Sequence, residues 1–211
     1  MRKLILKMSM TVDGFVAGPR GELDWLFRTS DAESKAWTVA AVSNMGLHIM
    51  GRKTYRDMAA YWPTSTEPFA APMNSVPKMI FTRGGEDTSS TATTRAIEDA
   101  RAHAPAGTTA SDDVVRGWTH PRWSRGDLVS EIAALKAEQG KDILAHGGAA
   151  FAQSLVEHDL IDEYRLVVHP VVLGAGLPLF TKASSLLDLE LLEAKSFPKG
   201  VVAHVYRRIR A

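Results

Sequence analysis

The sequence predicts an α/β fold of three layers, α/β/α, with a mixed central sheet and an antiparallel C-terminal hairpin. Three observations lead there. Apolar runs of extended character alternate with segments of helical spacing through most of the chain, the pattern of strand–helix–strand units. The tail reads as two strands around a Pro-Lys-Gly turn, so the sheet must finish antiparallel. The composition, 45% apolar and 23% charged over 211 residues, is that of an ordinary globular protein, and residues 1–211 are expected to form a single domain.

In chain order, residues 2–10 favour extended structure and give the first strand. "TVDGFVAGPRGELDW" is expected to be a loop, because Gly14, Gly18, Pro19 and Gly21 break any period. Residues 31–45 carry Ala36, Trp37, Ala40, Ala41 and Met45 at helical spacing, with Ser30 or Asp31 as N-cap. A buried strand at 47–50 precedes a short helix at about 52–60, which Trp62-Pro63 ends. "VPKMIFTRGG" is a third strand. Residues 85–120 are small and polar apart from one short helix at 95–103, and are expected to be an insertion or flap that buries no core. Leu128, Ile132 and Leu135 form a helical stripe that Gly140 closes, and "DILAH" is a buried strand. "GGAAFAQSLVEHDL" is a helix with Phe151, Leu155 and Val156 inward. "IDEYRLVVHPVVLG" is a long strand, and the hairpin turns at Pro198-Lys199-Gly200.

The totals exclude several functions. Lys+Arg number 25 against 24 Asp+Glu, so nothing global draws the chain to nucleic acid or anionic lipid, and any anion site must be local. Without cysteine there are no disulfides, thiolate catalysis or Cys-ligated metals, in keeping with a cytoplasmic location. Lys7 interrupts the first apolar run and no stretch of 18 apolar residues occurs, so neither signal peptide nor membrane span is expected. The 7 histidines lack zinc-pair spacing, so no metal is expected.

Ligands of such sheets sit outside the carboxyl ends of the strands. Three of those ends have anion chemistry. In "MGRKT", Gly51 admits close approach, the helix start directs N–H groups outward, and Arg52, Lys53 and Thr54 add charge and a hydroxyl. Cations at a helix N-terminus oppose the macrodipole by about 0.3–1 kcal/mol each, which favours a bound anion over a solvated surface start. In "FTRGG", Thr82 and Arg83 suit a phosphate monoester, although a surface turn explains them equally. In "LAHGGAAF", Gly147 and Gly148 bare the backbone at a helix start for a pyrophosphate, with tight strand–helix packing as the alternative. Together the three suggest a dinucleotide laid across the sheet edge.

With these segments in place, the chain resembles the dihydrofolate-reductase-like superfamily, and within it the riboflavin-biosynthesis reductase domain. "MSMTVDGFVAGPRGELDW", "IMGRKTY" and the block from "DILAHGG" to "GAGLPLF" carry the resemblance nearly end to end. It implies a dihydrofolate reductase-like fold with NADPH as cofactor. Gly51, Arg52, Lys53 and Thr54 would then meet the phosphates, Thr82 and Arg83 the adenosine 2′-phosphate, and Gly147, Gly148, Ala149 and Phe151 the pyrophosphate. Val16 and Ala17 would flank the nicotinamide. Asp24 is the approximate counterpart of the carboxylate that binds the pterin, and a helix cap is its alternative role. Trp25 would offer a stacking face to the substrate, or belong to the core. Asp13 belongs to the riboflavin-type motif, contacting substrate or tying a turn.

The expected function is NADPH-dependent hydride transfer to a pterin- or pyrimidine-like heterocycle, chemistry that needs placement and exclusion of water more than a nucleophile. An NADP-binding regulatory protein without catalysis is the alternative. A phosphate-ester enzyme is disfavoured, since the usual carboxylate pair or metal ligands are missing. Relatives pair through their sheets, and "VVLGAGLPLF" is an apolar candidate for a homodimer interface.

Overall fold

The structure is a computed structural model, and it describes residues 1–82, 90–104, 110–181 and 186–210. An eight-stranded sheet runs in the order β5-β4-β3-β6-β1-β7-β10-β9. Its strands are β1 (Leu4–Thr11), β3 (Leu47–Gly51), β4 (Lys78–Phe81), β5 (Arg122–Trp123), β6 (Ile143–His146), β7 (Glu163–His169), β9 (Leu189–Ser196) and β10 (Val202–Arg208). Pairing is parallel from β5 through to β7. It is antiparallel in β7-β10-β9, so the sheet is mixed and ends in the hairpin that the tail sequence implies.

Helices cover both faces. On one lie α7 (Leu128–Ala137) and α8 (Ala149–Glu157), whose Ile132, Leu135, Ala152 and Leu155 pack on Leu4, Leu6, Ile49 and Ile143. On the other lie α2 (Ala32–Ser43), α3 (Arg52–Ala59) and α4 (Ala70–Ser75), with α5 (Ser90–Ala102) and α6 (Asp112–Thr119). Asp31 caps α2 through the Ser34 N–H in a reciprocal capping box, and its other carboxylate oxygen accepts from Lys199 N, which ties the hairpin turn to this helix.

Two expectations are corrected. The segment 85–120 is more than a polar flap. Its α5 and α6 bury Ile97 and Trp118 against Met50, Tyr55 and Ile80, and the Trp118 indole donates to Asn74 Oδ1 at 2.8 Å. Two large buried apolar side chains dock these helices. The first loop also contains structure. Within it, β2 (Phe15–Ala17) pairs with β8 (Leu177–Pro178), and the six-residue α1 (Asp24–Thr29) begins at its end. The helix before Gly140 stops at Ala137 with Glu138 as cap, and Gly140 takes the positive φ of 135° two residues later.

Candidate active site

The three anion-prone segments fall on three adjacent parallel strands. β4 ends before Thr82, β3 ends in Gly51 and β6 ends before Gly147, and β4, β3 and β6 are neighbours. From β3 the chain leaves through α3 toward β4. From β6 it leaves through α8 toward β7, in the opposite direction and on the opposite face. Strand order thus reverses between β3 and β6, and a doubly wound sheet opens a crevice at such a point.

Two helices start at this crevice, α3 after Gly51 and α8 after Gly148, and neither has a side-chain cap. Away from the crevice α2, α6 and α7 are capped by Asp31, Ser111 and Asp127, whereas α1 and α4 are uncapped as well. Uncapped helix starts leave backbone N–H groups for a ligand. Thr54 joins the two starts, for its Oγ1 accepts from Gly148 N at 2.8 Å. The backbone is packed so closely that a Cβ on Gly148 would lie 2.9 Å from that oxygen, and one on Gly147 3.0 Å from Met8. The peptide between the two glycines is cis. Gly51 leaves room for Phe151, which stacks on Phe81 at 5.1 Å and joins α8 to the end of β4. The crevice is thus lined by bare backbone between two helix starts.

The other expected residues are placed as follows. Arg52 is exposed at the first turn of α3, and Lys53 is exposed and paired with Asp57 at 2.8 Å. Thr82 is half-buried at the end of β4, and Arg83 lies outside the described residues. Ala149 opens α8. Val16 and Ala17 are buried in β2, with Val16 in the same cluster as Met8. Asp24 is exposed at the start of α1, away from the N-cap position, which Leu23 holds. Trp25 is 2% exposed and meets His169 edge-on at 5.2 Å, so here its ring faces the protein. Asp13 ties a turn: it accepts from Thr11 Oγ1 at 2.6 Å and from the N–H groups of Leu173 and Gly174. These bonds, that from Thr11 foremost, hold its carboxyl below the usual range.

Several residues at the crevice escaped sequence reasoning. Ser124 is buried after β5 and donates its N–H to Ile80 O, and the β4–β5 register carried onward brings Arg125 level with Thr82. The face of the sheet toward α2 is basic. Lys7 lies beside His146 in the β1–β6 register, His146 meets His48 edge-on at 4.5 Å, and His169 ends β7. Burial pulls Lys7 down to about 8 and is the first cause that pulls His48 and His169 down to about 4. Burial pushes His146 down too, helped by the charges of His48, Lys7 and Lys78. A lysine inside an apolar strand was the signal available. Among the described residues no cluster suits a metal ion, and no helix is long and apolar enough to cross a membrane.

Comparison with known proteins shows the family and the fold. Residues 2–203 match the family model of the RibD C-terminal domain. The chain is 28% identical over 210 residues to the uncharacterised protein YyaP of Bacillus subtilis (strain 168), covering 97% of this chain and 94% of that one. A putative riboflavin biosynthesis protein from Shewanella sp. PV-4 has a similar fold, with a TM-score of 0.70, 24% identity and 99% of both chains covered. So does a dihydrofolate reductase from Enterococcus faecalis complexed with NADP(H) and RAB-propyl, at a TM-score of 0.56 and 11% identity over 99% of this chain and 97% of the other. With the order of its strands and the match over nearly all its length, the chain belongs to the RibD C-terminal domain family and has the dihydrofolate reductase-like α/β fold.

Proposed function

We propose that the protein is an NADPH-dependent reductase that transfers hydride to a pterin- or pyrimidine-like heterocycle. The observation that carries this reading is the pair of uncapped helix starts, α3 and α8, at the strand-order reversal, linked by Thr54 and Gly148. The family's reductase members and the NADP(H) bound by the Enterococcus faecalis neighbour support the choice of cofactor. In this reading the first turns of α3 and α8 receive the phosphates on backbone N–H groups, and Arg52 and Lys53 add positive charge. Arg83 or Arg125 reads the 2′-phosphate. Val16 and Ala17 wall the nicotinamide, and Phe81 and Phe151 exclude water behind the phosphates. NADPH supplies the hydride when bound. Asp24 anchors the heterocycle or gives it a proton. A single domain, a cytoplasmic location and a homodimer belong to the same proposal.

The test is titration with NADPH and NADH, read by quenching of tryptophan fluorescence, followed by NADPH oxidation across pterins and pyrimidines. Arg52→Ala is expected to weaken NADPH more than NADH. No quenching at millimolar NADPH would sink the reading, and binding without oxidation of NADPH by any of the panel would favour the non-catalytic alternative.

A further inference from the structure

The helix α1 has little of its own to hold it. It is six residues long, its N-cap Leu23 gives no side-chain bond, and Trp25 is its buried residue. Asp24 and Arg28 are exposed, and so is Phe27, at 67%. Two of its side chains meet the same residue of the sheet, His169. The Trp25 ring lies edge-on to the imidazole at 5.2 Å, and Thr29 Oγ1 lies 2.7 Å from Nδ1. His169 ends β7 and pairs with Thr11 at the end of β1, so the imidazole stands on the sheet itself. β7 and β1 run parallel with β6 and β3, which puts this contact on the carboxyl edge that carries Gly51 and Gly147. The direction of the bond follows from the single hydrogen of the hydroxyl. Thr29 Oγ1 donates to Trp25 O at 2.9 Å, and a carbonyl can only accept. Toward His169 the hydroxyl is therefore the acceptor, and Nδ1 carries the proton. Burial first, then the charge of Lys7, keeps the imidazole neutral down to about pH 4, so Nε2 is the bare nitrogen, and it is buried without a partner. An apolar side chain would fill this place without desolvating an imidazole, so what the imidazole adds is a directional bond to α1.

We propose that His169 is a positioning residue: its Nδ1–H bond to Thr29 and its contact with Trp25 latch α1 to the sheet and so fix the place of Asp24. Asp24 immediately precedes Trp25 in the same helical turn, so holding Trp25 holds Asp24. The neighbouring ties fasten the chain on either side of α1. Asp13 binds the start of the first loop to Leu173 and Gly174, and Asp31 binds the start of α2 to Lys199. Among the described residues Trp25 joins none of the apolar clusters on either face of the sheet, so release of α1 leaves the core whole. The latch therefore acts on place more than on stability. That Asp24 serves a substrate rests on the reductase reading, and that His169 holds it in place does not.

The test uses the full chain, which has no cysteine, with a nitroxide on Asp24→Cys. The spectrum of this labelled parent is expected to be that of an ordered side chain. Thr29→Val removes the acceptor and His169→Leu the donor, and both should convert the label to fast motion. Thr29→Ser and His169→Asn keep an acceptor and a donor in place and should restore order. Circular dichroism identifies the variants that fold, and Thr29→Val, at a half-buried site, decides if His169→Leu does not fold. The latch is overturned if the parent label is already mobile, if Thr29→Val leaves it ordered, or if the serine and asparagine variants stay mobile. Activity is measured separately on Thr29→Val without the label. Its kcat for NADPH oxidation is expected to fall about tenfold or more with NADPH affinity unchanged, and Thr29→Ser should recover it. An unchanged kcat beside a released α1 overturns the positioning of Asp24 for catalysis. Absence of NADPH binding in the unlabelled parent overturns the reductase reading alone, and the label still judges the latch.

Discussion

The two faces of the parallel strands differ in what their cores admit: one is apolar throughout, and the other sets buried bases among apolar residues such as Ile5, Met50, Ile80 and Leu144. Toward α7 and α8, β1 presents Leu4, Leu6 and Met8, β3 presents Leu47 and Ile49, and β6 presents Ile143 and Ala145, all buried in one apolar cluster. Toward α2 and α3 the alternate positions include Lys7, His48, Lys78 and His146, with His169 at the end of β7. Because side chains alternate along a strand, the step from Leu6 to Lys7 crosses from one face to the other. The apolar face follows from the hydrophobic effect alone. The bases of the second face oppose stability, since they are taken out of water without a carboxylate among their hydrogen-bond partners. Both sides hold the fold together through apolar clusters, and the second also carries the cost of its buried bases.

The sharpest break of this comparison is a pair of neighbouring substitutions. Leu6→Ala, at a fully buried site, is expected to lower stability by about 2–5 kcal/mol through lost burial and a cavity. Lys7→Met, one residue on, should raise it by about 1–3 kcal/mol at pH 7, because it removes a charge that burial disfavours. Urea midpoints measure both, and a loss of similar size for the two would erase the distinction between the faces.

Acid acts on three histidines of the second face at once. The folded protein keeps His48 and His169 neutral down to about pH 4, and His146 is also held well below the ordinary value of 6.5. Unfolded histidines titrate near 6.5, so between 6.5 and 4 the unfolded chain binds more protons and stability rises with pH. The contribution is therefore present in full above pH 6.5 and lost as pH falls toward 4, by about 1.4 kcal/mol per unit for each histidine. The carboxyls of Asp13 and Asp31, themselves lowered from 3.8, act only below this window. Urea midpoints that stay level from pH 6.5 to 5 would mean the histidines are not buried as a neutral set.

The apolar face and most of the order of elements were legible in the sequence because β1, β3, β4, β6 and β7 announce themselves by runs of large apolar residues, whereas the two-residue β5 does not. The glycines at the strand ends were legible too, since Gly51, Gly147 and Gly148 follow such runs directly. Other features were hidden for physical reasons. Ile97 stands alone in a polar stretch and gives no periodic stripe to read, and the stripe of α6, Val114, Val115 and Trp118, is only one turn long. Neither β2 nor β8 has a local signal, as each exists only through the other. The basic face depends on long-range register: Lys7 and His146 are neighbours across β1 and β6, and their separation in sequence conceals it.

The smallest effect concerns the link between the two faces. α3 lies on the basic side and α8 on the apolar side, and the bond from Gly148 N to Thr54 Oγ1 fastens their starts to each other across the crevice. Thr54→Ala removes the acceptor and leaves a half-buried N–H without it, at a cost of about 1 kcal/mol. Thr54→Ser keeps the oxygen and should restore most of that loss, because only the methyl group is gone. NADPH affinity is expected to fall a few-fold in the alanine variant, about 1 kcal/mol in binding, and to recover in the serine variant. Equal behaviour of the two variants would show that the methyl group's packing, and not the hydrogen bond, holds the helix starts in register.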